Sequence, residues 1–104
     1  MTKYLVLWRI KMEELSIEPE GMEKAMDMLF SAVEKFFEEG TLLDWGLFLD
    51  GQFGYAIRDM VPSDLQKWFI TINQFVDVED VQEVIGFEEA KKNIDAVIGT
   101  MMRE

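Results

Sequence analysis

The chain has 104 residues and 49% hydrophobic side chains, with 21 acids against 10 bases for a net charge of −11. A chain this long fits one domain and can bury a core without a covalent staple. The absence of Cys excludes disulfides and thiolate metal sites, and the absence of His removes the usual base near neutral pH and the commonest metal ligand.

The acids are spread along the chain rather than gathered in a tail, so they form a solvated exterior. Their summed field repels nucleic acid and anionic membrane surfaces. No run approaches ~18 consecutive apolar residues, so no transmembrane helix is expected. The first residues, Met-Thr-Lys-Tyr-Leu-Val-Leu-Trp-Arg-Ile, are broken by Arg9 and lack a small-residue cleavage site. They read as a strand rather than a signal peptide, and a cytoplasmic location is the default. No metal and no cofactor is expected.

Tyr4 to Met12 is the first predicted strand. Tyr4, Val6, Trp8, Ile10 and Met12 point one way, and Leu5, Leu7, Arg9 and Lys11 the other. A polar loop over Glu13 to Glu18 leads to Pro19, which suits a first helical turn because its missing N–H has no partner there. Met22, Ala25, Met26, Leu29, Val33, Phe36 and Phe37 then form one apolar stripe, and Gly40 is the natural stop. Asp50-Gly51 lies between two apolar runs and predicts a hairpin whose tight turn needs positive φ at Asp and Gly. A two-residue loop pairs Leu49 with Gln52, Phe48 with Phe53, Leu47 with Gly54, Gly46 with Tyr55, Trp45 with Ala56, Asp44 with Ile57 and Leu43 with Arg58. A three-residue loop would instead set Asp44 against Arg58. The Asp-Gly dipeptide favours the first.

Pro62-Ser63 opens a second helix with Ser63 as N-cap, and Leu65, Trp68, Phe69 and Ile72 share its apolar face to near Asn73. A last strand falls within Val76 to Phe87, with Asp80 to Gly86 preferred although its alternation is loose. Glu88 and Glu89 start a third helix, with Ala90, Ile94, Val97, Ile98 and Met101 on one side and Arg103 near its negative end. The expected fold is therefore α+β: a ferredoxin-like βαββαβ unit with an antiparallel four-stranded sheet and an extra C-terminal helix.

Two helices cover one face of such a sheet, yet large apolar groups fall on both faces of the hairpin. So large an exposed patch predicts a homodimer in which bare sheet faces meet or close into a barrel. The rival expectation is that the third helix folds back over the face within one chain.

Tyr4-Leu-Val-Leu-Trp8, Leu42-Leu-Asp-Trp-Gly through Gly54-Tyr-Ala-Ile, Pro62-Ser-Asp-Leu-Gln-Lys-Trp68 and Val84-Ile-Gly-Phe-Glu-Glu-Ala90 together resemble a family of small bacterial and archaeal domains of unknown function. That family is similar in turn to the dimeric α+β barrel superfamily, which includes antibiotic-biosynthesis monooxygenases, chlorite-dismutase-like proteins and muconolactone isomerases. The resemblance spans nearly the whole chain through generic motifs. It implies a homodimer with a small-molecule cavity between sheet and helices, and no particular reaction. Members often carry a His in or after the second strand; its absence here speaks against a haem or metal role.

Arg9, Asp44 and Arg58 are charges inside predicted strands, where they are costly unless paired or solvated. They are candidates for a polar cluster at a cleft mouth, with Arg9 or Arg58 holding a carboxylate and Asp44 as partner or base. The structural alternative is an Asp–Arg cross-strand pair with arginine stems covering apolar surface. Trp8, Trp45, Tyr55 and Trp68 could line an aromatic cavity, against the alternative of ordinary core and dimer packing. Paired acids such as Glu38-Glu39 lack the spacing that surrounds a hard cation. No phosphate loop, nucleophile elbow or catalytic dyad is present. The readings rank as a small-molecule-binding or sensing dimer framed by Trp8, Trp45, Tyr55 and Arg58, then a self-association module, then a cofactor-free monooxygenase-like enzyme.

Overall fold

The computed structural model describes residues 2–14, 18–73 and 75–103. Eight elements follow in order: β1 (Lys3–Ile10), a short 3-10 turn (Met12–Glu14), α1 (Pro19–Glu39), β2 (Leu42–Leu47), β3 (Phe53–Asp59), α2 (Pro62–Ile72), β4 (Val76–Val84) and α3 (Phe87–Arg103). The strands form one antiparallel sheet in the order β2-β3-β1-β4. The architecture is α+β, with three helices. β1 ends two residues before Met12, which sits in the 3-10 turn. The middle of the loop expected over Glu13 to Glu18 lies outside the described residues.

Local chemistry sets the helix ends. Pro19 occupies the first turn of α1, and Gly40 closes it in the left-handed conformation with φ 77°. The Gly40 N–H donates to the Phe36 and Phe37 carbonyls, which would otherwise be left without partners. α2 begins at Pro62 with Val61 as its N-cap. Ser63 is therefore inside the helix and not its cap, because the proline, rather than the serine, takes the first turn. Along α1, Ala25, Met26, Leu29, Val33 and Phe36 are half-buried, while Met22 and Phe37 at the margins of the stripe stay exposed.

The hairpin keeps the register of the Asp-Gly reading from Leu47↔Gly54 through Asp44↔Ile57. Its turn is looser than a two-residue loop. The Phe48 N–H donates to the Phe53 carbonyl at 2.8 Å and the Gly51 N–H to the Phe48 carbonyl at 2.9 Å. Gly51 alone takes positive φ, at 75°. Asp50 contributes differently from the expectation: its carboxylate accepts from the Gln52 and Phe53 N–H groups.

Two bulges decide which side chains reach the core. Between β2 and β3 the register shifts between Leu42 and Asp44, so Leu42, not Leu43, opposes Arg58. Leu42 and Trp45 thereby share a face despite their odd spacing. Between β1 and β4 the register shifts at Leu7/Trp8, which leaves Glu79 as the extra residue. Val76 and Val78 then face the same way as Val81, opposite Ile10, Trp8 and Val6. That parity change is why the alternation in this strand looks loose. It is also why β4 starts at Val76, four residues ahead of the preferred Asp80.

The core lies between the sheet and α1 and α2. Trp8, Ile10, Leu42, Ala56 and Val76 form its larger part, with Leu29, Val33, Phe36, Trp45, Trp68 and Ile72 packed against it. Val6, Met60 and Leu65 form the smaller part. Gly54 is required for this packing. A Cβ there would run into both the Trp8 ring and the Gly46 carbonyl.

The opposite face carries Leu5, Leu7, Phe53, Tyr55 and Ile57, the odd-numbered positions of β1 and β3. α3 does not cover it, since α3 makes no more than glancing contact with any other element. Its own apolar residues Ile94, Val97, Ile98 and Met101 are all exposed. The molecule measures 65 × 27 × 21 Å with a radius of gyration of 17.7 Å, against about 13 Å for a compact chain of about 100 residues. The helix projects instead of folding back over the sheet.

Candidate functional site

Arg58 is the centre of the site. It occupies an even position of β3, in register with Tyr4 on β1, so it points toward the helices. Only 1% of its surface is accessible, and it is the one buried charged residue among those described. Its guanidinium lies in the corner of two perpendicular rings, 4.4 Å from the Phe36 centroid and 4.3 Å from that of Trp68. Both aromatic faces present negative quadrupole to the cation. Nη2 donates to the Thr41 hydroxyl at 3.3 Å. Thr41 is held there by the α1 cap, where its N–H donates to the Phe36 carbonyl. Nε and Nη1 have no partner.

Among the described residues no carboxylate reaches this charge. Glu39 favours the ion only from a distance, and burial pushes the Arg58 pKa down to about 10. The group therefore remains a cation at neutral pH with most of its water removed.

Arg58 lines a cavity of about 60 Å³ between sheet and helices. The sheet contributes Trp8, Leu42, Trp45, Ala56 and Val76 to its wall. The helices add Leu29, Val33, Phe36, Trp68 and Ile72. Trp8 and Trp45 are stacked with centroids 5.5 Å apart, and Phe30 meets Trp45 edge-on. Phe36 and Trp68 are likewise edge to face. Two further buried donors, Trp8 Nε1 and Trp68 Nε1, have no hydrogen-bond partner.

A second space, a cleft of about 230 Å³, opens between α1 and α2. Leu29, Ala32, Phe36, Ile72 and Val76 line both spaces, so the cleft and the cavity adjoin.

The seven candidates named from sequence do not form one cluster. Trp8, Trp45, Trp68 and Arg58 come together at the cavity. Tyr55 and Asp44 lie on the other side of the sheet, because Gly46↔Tyr55 and Asp44↔Ile57 are the alternate positions of the same ladder. There the Tyr55 hydroxyl donates to the Asp44 carboxylate at 2.9 Å, which holds the phenol above its usual pKa. Asp44 is thus neither the partner of Arg58 nor a base beside it. The aromatic frame of Trp8, Trp45, Tyr55 and Arg58 loses Tyr55 and gains Phe36 and Trp68.

Arg9 is elsewhere again. It sits on the same side as Tyr55, toward β4, in an ion network with Glu13, Asp77 and Glu79. Lys11 adds a contact to Asp77 at 3.5 Å. The network holds the Glu13 and Asp77 carboxyls below their ordinary range, each chiefly through its hydrogen bond to Arg9. These charges are mutually satisfied and offer nothing to a ligand.

Phe36 and Thr41 escaped the sequence reading as site residues. Phe36 was visible as a core position of α1; nothing in its spacing singles out a ring placed over an arginine. Thr41 follows the helix stop at Gly40, and a hydroxyl directly after a cap was the only available signal.

Among the described residues no group of three or more His, Cys, Asp or Glu side chains is placed to hold a metal ion. No helix among them is long and apolar enough to cross a membrane. In comparisons with known proteins the chain matches no family model, no curated protein and no solved structure.

Proposed function

We propose that the chain is a cytoplasmic small-molecule-binding or sensing protein that works as a homodimer, with its ligand in the cavity between sheet and helices. One observation carries the reading: Arg58 is buried at 1% exposure with two unpartnered nitrogens beside an aromatic-walled cavity. Buried polar groups are ordinarily satisfied, and those that are not call for a partner. A concave, mostly apolar site with a few polar groups is the usual form of a small-ligand pocket.

The fold belongs in this reading to the ferredoxin-like type. The βαββαβ order, with β1 and β3 central and β2 and β4 at the edges, supports it. The dimeric α+β barrel is the finer form of the same proposal. It is supported by the bare sheet face and by α3, whose apolar stripe has nothing of its own chain to cover. The same surfaces favour self-association as the second reading, in which the second copy is the only partner.

Native mass spectrometry of the protein purified from its own cytoplasm tests both at once. Two subunits with a co-purifying small mass are expected, and the mass is lost in Arg58→Ala and Trp45→Ala. Two subunits with no bound mass under any condition leave self-association alone. A monomer at micromolar concentration removes the dimer. Ile57→Glu on the bare face is expected to give monomers that keep the far-UV spectrum of the parent chain.

A further inference from the structure

Resting on the cavity reading, we infer that the ligand is a monocarboxylate with an apolar tail, its head on Arg58 and its tail in the cleft between α1 and α2. The head is set by charge and by donors. Arg58 repels a cation, and a neutral ligand would leave the buried charge without a counter-ion. Arg58, Trp8 and Trp68 all line the cavity, and among the described residues Nε and Nη1 of Arg58 and Nε1 of both tryptophans have no partner. A carboxylate offers two oxygens with about four lone-pair sites. One oxygen can take Nε or Nη1 while the other shares the second Nη2 hydrogen, the first being used by Thr41.

Charge separates a carboxylate from a phosphate, which would bring two charges to one guanidinium within apolar walls.

The tail is set by what adjoins the head. The cleft of about 230 Å³ is walled by Ala25, Met26, Met28 and Phe75 beyond the residues it shares with the cavity, and Thr71 is its one polar side chain. Methionines suit a flexible chain, because the thioether adapts to irregular apolar shapes. Among the described residues no acid lines either space, although the whole chain carries a net charge of −11. Neither space therefore repels an anion at contact.

The readout is built in. The chain has three tryptophans, and Trp8, Trp45 and Trp68 all line the cavity. The full chain is titrated with octanoate, acetate, 1-octanol and octylamine, following tryptophan emission and the thermal midpoint. Octanoate is expected to give a saturable change in both and to bind at least tenfold tighter than acetate or 1-octanol, with octylamine silent. Arg58→Met, checked for folding by far-UV circular dichroism, should bind octanoate no better than 1-octanol. Ala25→Phe, which keeps Arg58 and fills the cleft, should lose octanoate and keep acetate; it stands in if Arg58→Met does not fold. Equal binding of octanoate and 1-octanol overturns the carboxylate while leaving the cavity in place. Equal binding of acetate and octanoate overturns the tail. If none of the four probes binds, the cavity reading falls with the inference.

Discussion

Replacing Arg58 by methionine is expected to make the ligand-free protein more stable. Burial holds the guanidinium at about 10, more than two pH units below its ordinary value. At about 1.36 kcal/mol per unit, the buried charge costs the fold about 3 kcal/mol. The rings of Phe36 and Trp68 return part of this, at about 1 to 2 kcal/mol for each desolvated cation–π contact. Methionine keeps an unbranched stem and restores about 0.3 to 1.5 kcal/mol per ring through sulfur–aromatic contact. The exchange at the rings therefore loses about 1 kcal/mol, and relief of the charge wins by about 2 kcal/mol. For a domain near this size that is a rise in Tm of about 8 °C or more. Urea unfolding followed by far-UV circular dichroism measures it without relying on Trp68 as a probe. The gain should be flat between about pH 5 and 9, since Arg58 is charged in both folded and unfolded chains until the pH approaches its folded value. A loss of more than about 1 kcal/mol in Arg58→Met would refute the reasoning, because it would mean that the fold, and not a ligand, compensates the guanidinium.

Three further outcomes are expected. Gly54→Ala should destabilise by about 2 to 3 kcal/mol, because its Cβ meets the Trp8 ring and the Gly46 carbonyl in the packed layer. Gly46→Ala meets the Tyr55 ring on the bare face, which can swing aside, so its cost should be under about 1.5 kcal/mol; equal values in urea unfolding would contradict this assignment of faces. Asp44→Asn removes the carboxylate that keeps the Tyr55 phenol protonated, so that phenol should ionise at lower pH in a spectrophotometric titration. Glu13 and Asp77 have carboxyls lowered by Arg9, so their contribution to stability is present above the ordinary carboxylate range and is lost as the pH falls through their folded values. Arg9→Gln should therefore weaken the fold at neutral pH and converge with the parent chain in acid; a gap that persists at low pH would exclude the ion network as its cause.

The two halves of the site differ in how far they could be read from the chain. The Asp-Gly turn placed Trp45 opposite Ala56, which by strand alternation puts Trp45 and Arg58 on one side and Tyr55 on the other. The separation of Tyr55 from Trp45 was thus implicit in the register. What the register did not contain is that the side bearing Arg58 is the one the helices cover. Both faces of the hairpin are rich in large apolar residues, so composition gives no preference between them.

By itself the sequence determined the elements and their order. Pro19 and Gly40 bound α1, Leu65, Trp68, Phe69 and Ile72 define the buried side of α2, and the hairpin register follows from its turn. These are local properties, set by φ preferences and by side-chain periods of 3.6 and 2. Tertiary structure alone decided the rest. The bulges at Leu43 and Glu79 reverse strand parity in a way that depends on the neighbouring strand, and so no single-strand pattern announces them. The packing of Arg58 against Phe36 and Trp68 joins residues from three elements, and the projection of α3 reflects contacts it does not make. A guanidinium in a strand is costly or cheap only according to what packs on it, and that is a property of the assembled layers.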